Sequence, residues 1–340
     1  MKRRRPSPLL YLLDSYSLLM VLYLLARWLL GSRWWWLGFL HTFAFWLFLP
    51  LIVITGLALL LQGKQTARRS FLLFILGMGL FAPLPIGWLT TSDEPHDLRV
   101  MTYNMLGNNG RIVQTVDWIL EQDADVLILQ EFVGGNLEWQ LPRLLEIYPH
   151  RVHVVDNVQI FSRLPILEGE TVYLQDPEPA RDGRLAVRAV IDVNGQPVTV
   201  YGVHLSVPFS EQPHGRVLID RGLLGFILHY DETERNHQWR TLTQMIASET
   251  NPVIVGGDFN TSHTSPILGR FTNIGMTDAF KAVGTGWGMT WSHNPPFLPL
   301  LRLDYLWSSE QLTPLRYSLG DFIGAEGSDH LPVVVDYRLG

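Results

Sequence analysis

The run Val253-Ile254-Val255-Gly256-Gly257-Asp258-Phe259-Asn260 decides the fold class. Pro252–Val255 is a short apolar, β-branched stretch bounded by turn residues, which reads as a strand, and Asp258 and Asn260 close the run that follows it. Working outward, Leu98–Tyr103, Val126–Leu129, Val152–Val155, Val187–Val193, Val198–Leu205, Leu303–Leu306 and Pro332–Tyr337 read the same way. Ile112–Gln122 and Arg235–Ser248 read as helices, the second with Trp239, Leu242, Met245 and Ile246 on one face. Asn194-Gly195, between two β-rich runs, is a hairpin signal. Short strands alternating with helical patterns predict one mixed α/β or α+β domain over residues 91–340, with no internal repeat.

The polar residues of this region fall at strand ends. Asn104 follows the first strand, Glu131 follows the strand that ends Ile128-Leu129-Gln130, and His204 sits near the end of Val198–Leu205. Asp304 lies in Arg302-Leu303-Asp304-Tyr305, and Asp329-His330 stand just before the last strand. Taken singly, each is as well explained as a turn former or cap. Taken together, carboxylates, amides and imidazoles held rigidly at strand ends are what a cleft over the edge of packed sheets requires.

The first 90 residues are of a different kind. They hold nine Lys or Arg against one acid, Asp14, which leaves 17 cations and 31 acids for the rest of a chain whose formal net charge is −6. Residues 9–30, 34–61 and 71–89 are apolar stretches of the length that crosses a hydrocarbon core of about 30 Å, the third interrupted by Pro83 and Pro85. They predict a membrane region of about three helices over residues 1–90. Lys and Arg are retained on the cytoplasmic side, and most of these cations lie in the N-terminal tail and the Gln62–Ser70 loop. Three crossings therefore place the second domain outside the cytoplasm; two crossings, with the third segment re-entrant, leave it inside. Trp34-Trp35-Trp36 reads as an interfacial belt or as lipid-facing bulk. The chain has no Cys, which excludes disulfide scaffolds, Cys-ligated metals and Cys nucleophiles.

Met101-Thr-Tyr-Asn104-Met, Gln130-Glu131, Gly202-Val-His204-Leu, Gly257-Asp258-Phe-Asn260, Met276-Thr-Asp278-Ala, Arg302-Leu-Asp304-Tyr-Leu and Ser328-Asp329-His330 follow one another in order. This series closely resembles the motifs of the endonuclease/exonuclease/phosphatase (DNase I-like) superfamily, here in a membrane-anchored member of bacterial type. The Arg235-x-x-Gln238-x-x-x-Leu242 helix is similar to that family as well. The resemblance covers about Leu98 to Tyr337. It implies a four-layer sandwich, two packed mixed β-sheets flanked by helices, and metal-dependent hydrolysis of phosphate esters. It further implies Glu131, Asn104 and Asp329 as metal ligands, with Mg²⁺ as the ion and Mn²⁺ as the alternative, since hard oxygen donors suit both. By the same resemblance His330, oriented by Asp304, stands at the scissile phosphate as base or as cation. Asp258 and Asn260 orient the attacking water and bind phosphoryl oxygens, His204 holds the phosphate or protonates the leaving group, and Asp278 and Arg302 are supports.

The motifs leave the ester open. Outside the first 90 residues the chain has a single lysine, Lys281, and an acidic balance, which disfavours a phosphodiester-backbone groove, although Arg181, Arg184 and Arg188 could line one. Tethering to a bilayer keeps the domain near lipid headgroups. The apolar insertion Val217–Tyr230 and the Pro295–Leu300 loop read either as membrane-facing lids or as elements packed on their own domain. The expectation is a membrane-anchored phosphoesterase acting on membrane lipids or their headgroup phosphodiesters, with no obligate protein partner. The alternatives are an envelope-associated nuclease and a non-catalytic binding module.

Overall fold

The computed structural model describes all residues except 1–6, 84–85, 93, 108, 134, 154–157, 175–184, 209–224, 226, 293–298 and 321–326. The chain divides into two units. The larger comprises residues 83–208, 233–261 and 267–340, and the smaller comprises residues 1–82 with two later segments, 209–232 and 262–266.

The larger unit is built on two mixed six-stranded sheets flanked by helices. The first has the order β11 (Leu312–Leu319), β12 (Val333–Leu339), β1 (Leu98–Asn104), β2 (Val126–Gln130), β4 (Val158–Ser162), β3 (His150–His153). The second has the order β5 (Ile166–Tyr173), β6 (Leu185–Val193), β7 (Gln196–His204), β8 (Val253–Asp258), β10 (Asp304–Ser308), β9 (Thr277–Asp278). Each sheet has one parallel pair at its centre, β1 with β2 and β7 with β8; the other pairs are antiparallel.

The central strands are apolar throughout because both of their faces are covered. Val100, Val126, Ile128, Val200 and Ile254 meet in the layer between the sheets. Alternate residues point the other way. Met101, Tyr103, Leu127 and Leu129 pack beneath α6 (Ile112–Glu121) and α7 (Gly135–Ile147), whose Val116, Ile119 and Leu144 join that cluster. Val255 and Trp307 pack with Trp239, Leu242 and Ile246 of α8 (Thr233–Ala247). Gly256 lets the sheets approach closely: a Cβ there would lie 2.6 Å from Ile128 Cδ1. Gly257, at φ 149°, would drive a Cβ to 1.9 Å from the Val203 carbonyl oxygen. The Asn194-Gly195 turn joins β6 to β7 with both residues at positive φ, as a type I′ hairpin demands.

In the smaller unit, α1 (Pro8–Leu30) is long and apolar enough to cross a membrane. The expected span 34–61 is instead broken into α2 (Trp35–Thr42), α3 (Ala44–Phe48) and α4 (Pro50–Leu60), with a bend of 75° at Phe43. The expected span 71–89 is also corrected. Its helix, α5 (Lys64–Phe81), starts in the basic loop and stops before the prolines, so its apolar part is only about 16 Å long at 1.5 Å per residue. Residues 86–89 belong to the larger unit, where Gly87 N–H donates to the Gly284 carbonyl at 2.9 Å. Leu12, Leu19, Leu22, Trp28, Val53, Leu60, Leu76 and Leu80 are all exposed, an apolar surface on several sides of the helices. The polar contacts are internal: Tyr23 Oη bonds His41 Nδ1 at 3.0 Å, Thr42 Oγ1 lies 2.5 Å from Tyr230 Oη, and the Thr264 hydroxyl donates to the His41 carbonyl at 2.5 Å.

Candidate active site

The strand register assembles the site. In the second sheet His204, Asp258 and Asp304 are direct cross-strand partners, one at the end of β7, one at the end of β8 and one at the start of β10. In the first sheet Asn104 pairs with Gln130 at the parallel ends of β1 and β2, and Glu131 follows at once. Side-chain contacts bridge the two sheets. Asn104 Nδ2 donates to Glu131 Oε1 and to Asp258 Oδ2, both at 3.1 Å, while its Oδ1 accepts the Leu106 N–H. His204 Nε2 lies 3.8 Å from Glu131 and 3.6 Å from Asp258. His330 Nε2 reaches Asp258 Oδ2 at 3.6 Å, and its Nδ1 bonds Asp304 Oδ2 at 2.9 Å.

Of the residues expected from sequence, Asn104, Glu131, His204, Asp258, Asp304 and His330 thus lie in one network. Asn260 adjoins it: its backbone N–H caps Asp258 Oδ1 at 2.8 Å, but its side-chain amide donates to the Leu205 carbonyl. Asp329 is held by the indole N–H of Trp291 at 3.0 Å. Asp278 and Arg302 form a buried bidentate pair at 2.7 and 2.8 Å beneath β10, the guanidinium packed against the rings of Phe280 and Tyr305. The Arg188 guanidinium is engaged by Glu249, Glu168 and Glu170; Arg181 and Arg184 lie outside the described residues, as do most of the Val217–Tyr230 insertion and of the Pro295–Leu300 loop.

Loop residues complete the support; of these only Ser328 stands in a motif of the sequence, Ser328-Asp329-His330, and Thr290 and Gly107 do not. Thr290 Oγ1 accepts the N–H groups of Leu303 and Asp304, and Ser328 Oγ donates to the Asn104 carbonyl while accepting the His330 N–H. Gly107 N–H donates to Glu131 Oε2 at 3.2 Å. Leu106, Glu131 and Asn260 all adopt positive φ, a costly backbone state for such residues that tends to collect at functional sites.

The electrostatics separate the groups. Burial works against a charged His330, but Asp304, Asp258 and the hydrogen bond to Asp304 outweigh it and push the imidazole up to about 10. Asp258 is fully buried, and desolvation, with Asp304 adding to it, holds its carboxyl above the usual range against the pull of the two histidines. Burial would raise Glu131 too, yet His204, the Asn104 amide and the Gly107 N–H bring it below its ordinary value. The site therefore pairs an ionised outer carboxylate with an inner imidazolium next to a carboxylate that retains protons more readily.

A divalent cation fits this donor set. Asp304 Oδ1 is buried without a hydrogen-bond partner, and the Asp258 and Asp304 carboxylates gather oxygen donors beside His330, whose protonated ring itself offers no lone pair to an ion. Glu131 is the more open acid, about one-third exposed, and accepts only two hydrogen bonds, which suits an ion that keeps most of its waters.

A family model described as the Endonuclease/Exonuclease/phosphatase family matches residues 101–330. Among curated proteins, none matches this chain. Among solved structures, similarity extends to an endonuclease/exonuclease/phosphatase from Beutenbergia cavernae DSM 12333, with 20% identity, 72% of each chain covered and a TM-score of 0.53. TDP2 of D. rerio complexed with single strand DNA product is 17% identical over 71% of this chain and 98% of its own, at a TM-score of 0.54. The mannosyl-6-phosphatase Bt3783 of Bacteroides thetaiotaomicron VPI-5482 is 18% identical over 71% of this chain and all of its own, at 0.52.

Proposed function

This chain belongs to the endonuclease/exonuclease/phosphatase family, whose members hydrolyse phosphate esters, and from that premise we propose that it is a membrane-anchored, Mg²⁺-dependent phosphodiesterase of lipid headgroups. The observation that carries the catalytic part is the convergence of Asn104, Glu131, His204, Asp258, Asp304 and His330 at the strand ends of both sheets.

Each residue's role follows from its surroundings. Asp304 orients the His330 ring and stabilises its charge, so the imidazolium binds a non-bridging phosphoryl oxygen. Asp258, with its raised carboxyl, accepts a proton from the attacking water. His204, beside both Glu131 and Asp258, holds the phosphate on the leaving-group side. Asn260 positions Asp258 and the β7 end through its backbone N–H and side-chain amide. Glu131, with Asn104 and Asp329, is the set that would hold the metal. When bound, the ion neutralises charge on the phosphoryl oxygens.

The lipid preference rests on the apolar exposed helices of the smaller unit and on the acidic balance of the rest of the chain, which disfavours a nucleic-acid groove. The nuclease remains the second reading because TDP2 binds a single strand DNA product on the same fold. Full-length protein in detergent is to be assayed on sphingomyelin, on glycerophospholipids and on single- and double-stranded DNA, with Mg²⁺ and with EDTA. Lipid hydrolysis that EDTA abolishes is the expected result; cleavage of DNA alone would sink the lipid preference. A reporter fused after Gly340 that works only outside the cytoplasm is the result expected of an extracytoplasmic catalytic domain.

A further inference from the structure

α1 and α5 run side by side in the same direction: Gly63 sits against Leu10, Thr66 hydrogen-bonds Asp14 at 3.1 Å, and the hydroxyls of Ser17 and Ser70 meet at 3.0 Å. Between them lies an open groove of ≈ 620 Å³, within the range of small-molecule and lipid sites. Its length is apolar, lined by Leu18, Val21, Leu72 and Leu73, and its end nearest both helix N-termini is polar, formed by Asp14 and Arg69.

The charge at that end is lopsided. Asp14 is the only acid of the first 90 residues, and one of its oxygens already takes the Thr66 hydroxyl while the other stands 3.7 Å from Arg69. Lys64, Arg68 and Arg69 are all exposed on the first turns of α5. One carboxylate stands beside Arg69, with Lys64 and Arg68 exposed on the same turns of α5, and this surplus of cations calls for an anion attached to an apolar tail.

We propose that this groove binds an anionic glycerophospholipid, one acyl chain along Leu18, Val21, Leu72 and Leu73 and the phosphate on Arg69 at its polar end. Asp14 accepts hydrogen bonds from a hydroxylated headgroup, so a glycerol headgroup fits better than a choline. The site needs the membrane anchoring proposed above but neither the catalytic residues nor their substrate. It is a regulatory or structural lipid site on the helices.

Full-length protein reconstituted in nanodiscs of phosphatidylcholine alone, or of phosphatidylcholine mixed with phosphatidylglycerol or with phosphatidylethanolamine, tests this by thermal midpoint. Phosphatidylglycerol is expected to raise the midpoint by roughly 3 °C, a shift that a ligand bound only by the folded state produces. Arg69→Gln and the groove-filling Leu72→Trp should both abolish the rise, while Arg33→Gln, which removes a cation elsewhere, should leave it intact. Equal stabilisation by phosphatidylethanolamine, or loss of the rise in Arg33→Gln to the same extent as in Arg69→Gln, would overturn the proposal. A chain that does not enter the discs overturns the anchoring as well. Hydrolysis of a soluble phosphodiester by Arg69→Gln at the wild-type rate separates a failure of this site from a failure of the catalytic reading.

Discussion

His330 shows how one residue can be tuned by two neighbours of like charge. The Asp304–His330 pair is expected to act as a unit, so His330→Gln and Asp304→Asn should each lower kcat by about 10²–10⁴, and the double variant by little more than either. Additive losses in a steady-state assay would mean independent roles. Glu131→Gln should instead raise the Mg²⁺ concentration for half-maximal activity at least about tenfold, since the ligand set loses one of its two carboxylates. The pH dependence of stability is also determined. With its folded pKa raised from 6.5 to about 10, protonated His330 contributes stability that is fully present below about pH 6.5 and is lost as pH rises through about 10. In EDTA the melting midpoint of the wild type should therefore fall relative to His330→Gln between these values; a constant difference would refute the shift.

At the scale of elements, the buried Arg302–Asp278 pair ties the start of β10 to α9 (Ala279–Val283), which Asp278 also caps through the Phe280 N–H. Asp278→Ala should cost about 3–5 kcal/mol in chemical denaturation because it strands a buried guanidinium, and Asp278→Ala with Arg302→Met should recover part of it. The same burial explains what sequence could reveal. β1, β2, β7 and β8 are covered on both faces and so stand out as apolar runs, and their polar ends gave away Asn104, Glu131, His204 and Asp258. β5 is an edge strand with mostly exposed residues, β11 carries Pro314 at a register shift, and α7 contains Pro142, so each lacks the periodicity that marks an element. Thr290 and Trp291, which stand in no motif, reach the site only through loop paths that tertiary contacts define. In the stretch 71–89 the apolar composition runs on past the point where the helix ends at Phe81, just before Pro83, and Gly87 hydrogen-bonds to Gly284 within the larger unit.

Over the whole molecule, the smaller unit takes in segments 209–232 and 262–266 from late in the chain. Glu232 is buried there with Tyr230, whose hydroxyl is bonded to Thr42, and the Thr264 hydroxyl has the His41 carbonyl as its partner. A fragment starting at Asp97 loses the bonds of Tyr230 to Thr42 and of Thr264 to the His41 carbonyl and keeps those of Tyr230 to Glu232 and of Thr264 to Ser262, at a cost of about 1 kcal/mol for each bond lost. It should aggregate, or melt below the full chain in mild detergent; a monomeric fragment of unchanged midpoint would show that the helices contribute nothing to those segments.

The alignment of His204, Asp258 and Asp304 across three strands makes catalysis a reporter of folding fidelity. Side chains alternate faces along a strand, so a slip of β10 by one residue against β8 would turn Asp304 away from His330 while keeping nearly every backbone hydrogen bond. Such a misfolded population would pass for native by circular dichroism and be silent in turnover. The fraction of active sites in a refolded sample therefore counts the molecules that paired their strands correctly.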